Sequence, residues 1–159
     1  MERTRIDPAE RFQGTVAVLA PHMDDEVLAC GGLLARLPDK GRIHVAYATD
    51  GMMSPAPIFP WRDSITPDLG ARREKESEHA VGVLGIPAAN LTFLRLPEAS
   101  LRSHRVTLKR RLLEFLDACD PDHVLLPFRY DRHPDHLAIN HAITDAHRAG
   151  LVRARLTEY

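Results

Sequence analysis

The chain of 159 residues is long enough for one domain with a hydrophobic core, and its 44% hydrophobic and 27% charged residues are ordinary for a globular protein. With 21 basic and 22 acidic side chains the formal net charge is −1, which gives no reason to expect a nucleic acid or an anionic membrane surface as a partner. No apolar run approaches the ~20 residues that a membrane-spanning helix needs, and the charged N-terminus lacks the apolar core of a secretion signal.

Local patterns predict strands and helices that alternate along most of the chain. Residues 1–14 are predicted as a polar N-terminal arm with a short turn after Pro8, and residues 52–68 as a Pro-rich loop near the functional site. Predicted strands occupy residues 15–20, 42–49, 91–96, 122–127 and 151–159, and predicted helices occupy residues 25–37, 69–84, 106–119 and 135–149. The alternation indicates a single α/β domain over residues 1–159, with a mostly parallel sheet, helices on both faces and all strand tips at one edge.

The cysteines indicate the cellular compartment. Cys30 and Cys119 lie far apart in the sequence and do not form a CxxC motif. We interpret both as reduced helix residues, and we therefore expect a cytoplasmic protein.

The first chemical cluster is PHMDDE at residues 21–26, between the first predicted strand and the first predicted helix. In an alternating α/β chain, the tip of a strand that leads into a helix is where ligands and catalytic groups gather. Three carboxylates this close together repel one another unless a cation or a shared proton relieves the repulsion. A divalent metal ion is the simplest explanation.

The second cluster is DRHPDH at residues 131–136, which follows the fourth predicted strand and begins a helix. His133 and His136 are three residues apart, so one helical turn can direct both rings at one point. Together the clusters can supply His22, one aspartate and His136, a set that leaves open positions for water and substrate, as in a catalytic metal site. A single histidine beside an aspartate is usually a solvated pair, but two such clusters at equivalent strand tips favour a metal. The remaining histidines are not assigned to it: His44, His79, His104, His123, His141 and His147.

The paired motifs PHMDDE and HPDH resemble those of the zinc-dependent N-deacetylases of the PIG-L/LmbE family. Those enzymes act on N-acetylglucosamine-type groups and have a Rossmann-like fold, so the resemblance implies a Rossmann-like three-layer sandwich. Further similar features are TDG at residues 49–51, Arg73 and Glu76 on the next helix, and LGI at residues 84–86. The resemblance spans about residues 15–150. Met23 stands where the family most often has proline, and relatives generally continue past the region of Tyr159.

The resemblance also implies a role for each residue of the motifs. His22, Asp25 and His136 would bind the metal, with Zn²⁺ expected and Fe²⁺ or Co²⁺ also compatible with these ligands. Asp24 would be the general base that takes a proton from water. His133 would face the developing oxyanion or the leaving amine, and Asp135 would orient His133. Four other charged residues are interpreted as support residues around the site or as ordinary loop and helix charges: Glu26, Asp50, Arg73 and Glu76.

The expected function is removal of an N-acyl group, most simply acetyl, from an N-acetylglucosamine-type amino sugar or a related small conjugate. A rival is a non-haem iron oxygenase with a triad of His22, Asp24 and His136, although such triads usually lie on all-β jelly rolls. A second rival is a non-catalytic module that only holds a metal, which would not need Asp24 and His133. A chain of this length could complete its pocket with a neighbouring subunit, so a homo-oligomer is one expected arrangement.

Overall fold

The structure, a computed structural model, describes residues 7–53 and 68–159, which form one five-stranded parallel sheet with helices on both faces. The strands β1 to β5 are Val16–Ala20, Ile43–Thr49, Leu91–Leu96, His123–Leu126 and Arg155–Glu158. The helices α1 to α5 are Pro8–Arg11, Asp25–Arg36, Leu69–Val83, Arg105–Cys119 and Pro134–Arg148. The predicted fold class is confirmed. None of the described helices is long and apolar enough to cross a membrane.

The hydrophobic core lies in two layers because alternate residues of each strand point to opposite faces of the sheet. In β1, Ala17 and Leu19 pack into one layer, whereas Val16, Val18 and Ala20 pack into the other. Helices α4 and α5 cover the first layer, and α2 and α3 cover the second. The apolar residues at helical spacing in α4 are buried in the first layer: Leu108, Leu112, Phe115 and Leu116.

The order of the strands decides where a functional site can form. The order is β3-β2-β1-β4-β5. Along the chain, β2 and β3 are added on one side of β1, and β4 and β5 are then added on its other side. The reversal lies between β1 and β4, which pair in parallel from Val16 with His123 to Val18 with Leu125. In open α/β sheets, ligands bind at the carboxyl ends of the strands beside such a reversal. The segments that follow β1 and β4 carry the two motifs, so both arrive at this point.

Three segments differ from the sequence prediction or lie partly outside the structure. Within the predicted polar arm, Pro8–Arg11 forms α1, and Phe12 is buried with its ring centroid 5.1 Å from that of His123. The predicted last strand pairs only from Arg155, because Val152 and Ala154 pack into the core as the chain returns from α5. Residues 54–67 of the predicted Pro-rich loop lie outside the described residues, so that interpretation stays a prediction.

Replacement of Leu112 by alanine tests the layer between the sheet and α4. Leu112 is fully buried, so the substitution should leave a cavity and lower the free energy of unfolding by about 2–5 kcal/mol. Val106 lies on the same helix and is 78% exposed, so Val106→Ala is the matched control and should change stability by less than about 0.5 kcal/mol. Chemical denaturation of both variants measures the difference. Equal effects of the two substitutions would contradict the assignment of the buried face.

Candidate metal centre

The turn that carries the first motif is fixed by the end of the neighbouring strand. Both the backbone N–H and the hydroxyl of Thr49 donate hydrogen bonds to the carbonyl oxygen of Pro21, at 3.1 and 2.8 Å. Gly51, two residues further on, has a φ of +67°, and a Cβ there would lie 3.1 Å from Cδ of Arg73. Glycine at this position therefore lets α3 bring Arg73 close to the turn.

Three imidazole rings from the two motifs meet at the carboxyl ends of β1 and β4. The ring centroid of His22 lies 4.7 Å from that of His133 and 5.3 Å from that of His136, and the last two are 5.1 Å apart. One ring nitrogen from each histidine lies within 4.8 Å of the others, which is close enough for one metal ion. Residues more than a hundred positions apart thus form one site, as expected from their places at two strand tips.

Asp25 lies between two of these rings. Its Oδ2 is 3.3 Å from Nδ1 of His22 and 3.4 Å from Nε2 of His136. Around a tetrahedral ion with bonds of ~2.0–2.1 Å, neighbouring ligand atoms are separated by ~3.3–3.4 Å. Both distances from Asp25 therefore match a zinc-like ion held by His22, Asp25 and His136. The three histidines form a second compatible set, so the choice between Asp25 and His133 as third ligand stays a prediction.

The second nitrogen of each ring beside Asp25 is held by another carboxylate. Nε2 of His22 lies 3.4 Å from Oδ2 of Asp135, and Nδ1 of His136 lies 3.0 Å from Oδ2 of Asp131. Such outer carboxylates fix the orientation and tautomer of metal-binding histidines. Asp131 belongs to the second motif, but its role could not be predicted from the sequence, because nothing local shows which ring it faces.

Asp135 is completely buried and has a different side-chain partner from the one expected. Its carboxylate accepts hydrogen bonds from the backbone N–H groups of Ala99, at 2.7 Å, and Leu101, at 3.0 Å, in addition to its contact with His22. Its own backbone N–H donates to Nδ1 of His133 at 3.2 Å. The contact between Asp135 and His133 is thus made by the main chain, while the carboxylate of Asp135 contacts Nε2 of His22.

The charges in this network stabilise one another in the metal-free protein. Burial disfavours the charged ring of His22, but hydrogen bonds to Asp135 and Asp25 raise its pKa to about 9. Burial also disfavours the carboxylate of Asp25, yet hydrogen bonds with His136 and His22 hold its pKa below the usual range. The same balance between burial and the contact with Asp25 raises the pKa of His136. The site is therefore an array of mutually paired charges.

The sequence profile of the PIG-L family, described as GlcNAc-PI de-N-acetylase, matches residues 17–147. This chain belongs to the PIG-L family. Solved structures of similar fold include the N,N'-diacetylchitobiose deacetylase of Pyrococcus horikoshii, with 27% identity over 88% of this chain and a TM-score of 0.72.

Two further structures show the same likeness. The conserved protein TT1542 of Thermus thermophilus has 32% identity over 92% of this chain and a TM-score of 0.62. The A40926 pseudoaglycone deacetylase Dbv21 has 26% identity over 91% and a TM-score of 0.70. This chain spans 51% of the chitobiose deacetylase, 61% of TT1542 and 62% of Dbv21.

The two adjacent aspartates of this PIG-L family member lie in different environments. The side chain of Asp24 is 50% exposed, whereas that of Asp25 is 15% exposed and faces the imidazoles. Oδ2 of Asp24 lies 3.5 Å from Nη2 of Arg73, so one of the expected support residues does reach the site. Glu76, by contrast, pairs on the surface with Arg72 at 2.9 Å, and Asp50 accepts backbone hydrogen bonds from Met52 and Glu98.

Glu26 has the least expected environment of the residues in the first motif. Its side chain is fully buried, and neither carboxylate oxygen makes a hydrogen bond with another described residue. The hydroxyl of Tyr47 faces it, but it too lacks a partner in hydrogen-bonding geometry within the described chain. Burial raises the pKa of Glu26 to about 7. A sequence alone cannot show this, because a glutamate in the first turn of a helix is normally exposed.

Metal analysis of four variants separates the two ligand sets. If Asp25 is the third ligand, Asp25→Ala should lose the metal while Asp24→Asn and His133→Ala each retain about one ion per chain. His136→Ala is the positive control, because His136 belongs to both sets. Loss of metal from His133→Ala with retention in Asp25→Ala would instead favour the three-histidine set.

Removal of the buried carboxyl of Glu26 should stabilise the metal-free protein. A buried polar group without hydrogen bonds costs about 1–3 kcal/mol, so Glu26→Leu should raise the free energy of unfolding by an amount of that order. Glu78 is exposed on α3, and Glu78→Leu is the matched control in which no such gain is expected. Denaturation of chelator-treated protein measures both. A loss of stability in Glu26→Leu would show that the carboxyl is satisfied in solution.

Proposed function

We propose that this protein is a metal-dependent hydrolase that removes an N-acetyl group from an N-acetylglucosamine-type amino sugar or a related small conjugate. The observation that carries the proposal is the position of Asp25 Oδ2, 3.3 and 3.4 Å from the nitrogens of two imidazoles whose other nitrogens are held by carboxylates. The family match and the deacetylases of similar fold support the same reaction class.

The residues present fit a zinc ion, because two imidazoles and a carboxylate are donor groups that zinc accepts. When bound, zinc lowers the pKa of a coordinated water from ~16 to ~7 and polarises an amide carbonyl. His22, Asp25 and His136 would hold it, with Asp135 and Asp131 keeping the two rings in the required orientation. Fe²⁺ and Co²⁺ accept the same donor atoms, so the identity of the ion is part of the proposal.

Asp24 is the proposed general base. Half of its side chain is exposed, so it is accessible to a water molecule at the site. The carboxylate of Asp25 is already engaged by two imidazoles and cannot serve as proton acceptor and ligand at once. The neighbouring aspartates therefore take different roles.

His133 is the proposed partner of the substrate carbonyl and of the leaving amine. In its neutral form, Nδ1 accepts the hydrogen bond from the backbone of Asp135, which places the ring proton on Nε2. That N–H has no hydrogen-bond acceptor among the residues that the structure describes, and it can donate to an oxygen on which negative charge develops. One well-placed donor of this kind contributes roughly 3–4 kcal/mol to the stabilisation of a transition state in other enzymes.

The geometry also weighs against the two rivals. An oxygenase triad would need Asp24 as a ligand, but the carboxylate next to His22 and His136 belongs to Asp25. A module that only holds a metal would have no use for an accessible carboxylate and an exposed imidazole beside the site.

Asp24→Asn tests the proposed base. The substitution keeps size and polarity but removes the proton acceptor, so the variant should bind the metal and lose about 10²–10⁴-fold in turnover. The measurement is release of free amine from a series of N-acetylated sugars, paired with metal analysis. Asp117 is exposed on α4, and Asp117→Asn should leave turnover unchanged. Unimpaired turnover in Asp24→Asn would remove Asp24 from the mechanism.

A further inference from the structure

The segment that leads into the second motif carries a pair of solvent-exposed aromatic rings. We define the aromatic turn as residues 128–131, between β4 and α5. Phe128 is 45% exposed and Tyr130 is 76% exposed, and their rings meet edge to face with centroids 5.4 Å apart. Neighbouring aromatic side chains on a surface offer a large apolar area, and burying that area against a ligand is favourable.

The aromatic turn is tied to its surroundings on several sides. The N–H of Asp131 donates to the carbonyl oxygen of Phe128 at 3.0 Å, which closes the turn. Nε of Arg129 donates to Oε2 of Glu158 in β5 at 2.9 Å. Asn140 of α5 donates to the carbonyl oxygen of Pro127 at 2.7 Å and to Oε1 of Glu158 at 3.1 Å. The two rings are therefore displayed on a preorganised support, and a ligand that packs on them need not order the backbone first.

The aromatic turn also adjoins the metal centre. Tyr130 immediately precedes Asp131, whose Oδ2 lies 3.0 Å from Nδ1 of His136. Consecutive Cα atoms are ~3.8 Å apart, so the backbone of Tyr130 lies next to the group that orients a proposed metal ligand. A substrate with its amide at the metal centre extends outward from there, and this backbone position makes the aromatic turn the candidate contact for the part beyond the amide.

We propose that Phe128 and Tyr130 form a platform on which a pyranose ring of the substrate packs while its N-acetyl group lies at the metal centre. The inference rests on the proposed function and names the part of the chain that recognises the sugar. A pyranose has C–H groups on its faces and hydroxyls along its edge. The aromatic faces match the former. The paired charges of Arg129, which lies between the two aromatic residues in the sequence, and Glu158 match the latter.

A comparison of two substrates tests the platform. N-acetylglucosamine contains the ring, and N-acetylethanolamine offers the same amide without it. In Phe128→Ala/Tyr130→Ala, the KM for the sugar should rise about tenfold or more, with kcat and the kinetics of the ringless amide little changed. Tyr130→Phe should retain sugar affinity, whereas Tyr130→Leu, of similar bulk, should lose it. Leu151→Ala, at a 57% exposed apolar residue of the segment between α5 and β5, is the control for general surface effects.

Binding of N-acetylglucosamine to the zinc-loaded protein, followed by ligand-observed NMR, separates this inference from the proposed function. Binding that is lost in the double variant, without amine release from the wild type for any of the N-acetylated sugars, would sustain the platform and contradict the proposed deacetylation of amino sugars. Amine release with unchanged sugar affinity in the double variant would overturn the platform alone. An equal loss with both substrates would show that the turn acts only through Asp131. If the double variant instead lost binding to N-octylacetamide but kept binding to the sugar, the rings would recognise an alkyl chain, and the proposal would be contradicted.

Discussion

The contact of Asp25 with two imidazoles is the constraint on which the rest of the site depends. Oδ2 of Asp25 comes from the segment after β1, whereas His136 lies after β4, so their 3.4 Å separation exists only if these strands are neighbours. Buried charges are tolerated only where each has partners, and Asp135 and Asp131 complete the set by holding the outer nitrogens. Each carboxylate therefore serves both the stability of the charged cluster and the orientation of a ring.

The sheet supplies the precision that this cluster needs. β1 is buried on both faces, with alternate residues in two separate apolar layers, so its end cannot shift without disturbing the core on both sides. The chain reverses direction across the sheet between β1 and β4, and in open α/β sheets ligands bind at the carboxyl ends of the strands beside such a reversal. The same arrangement brings the aromatic turn next to the second motif of the candidate metal centre, because that turn is the continuation of β4.

Much of the fold could be predicted from local patterns, and the errors have definite physical causes. The third strand, at residues 91–96, was located without error, and the helices α2 to α5 and the other inner strands were located to within about two residues. This was possible because the hydrophobic period, and the glycine and proline residues that end helices and strands, are local properties of the sequence. The predicted strand at 151–159 was too long, since an apolar residue such as Val152 can enter the core without joining the hydrogen-bonded ladder. The short α1 was missed because four residues carry too little periodicity.

The sequence by itself determined the two motifs, their places at strand tips and, through their resemblance to a known family, the class of chemistry that is proposed. It could do so because strand and helix periods, and the spacing of His133 and His136, are set within a few residues. Only the tertiary structure decided which partner each group has: Asp135 with His22, Asp131 with His136, Glu26 buried beside Tyr47, and Arg129 paired with Glu158. These pairings depend on strand order and on the packing of helices against the sheet, and neither is encoded in any single segment.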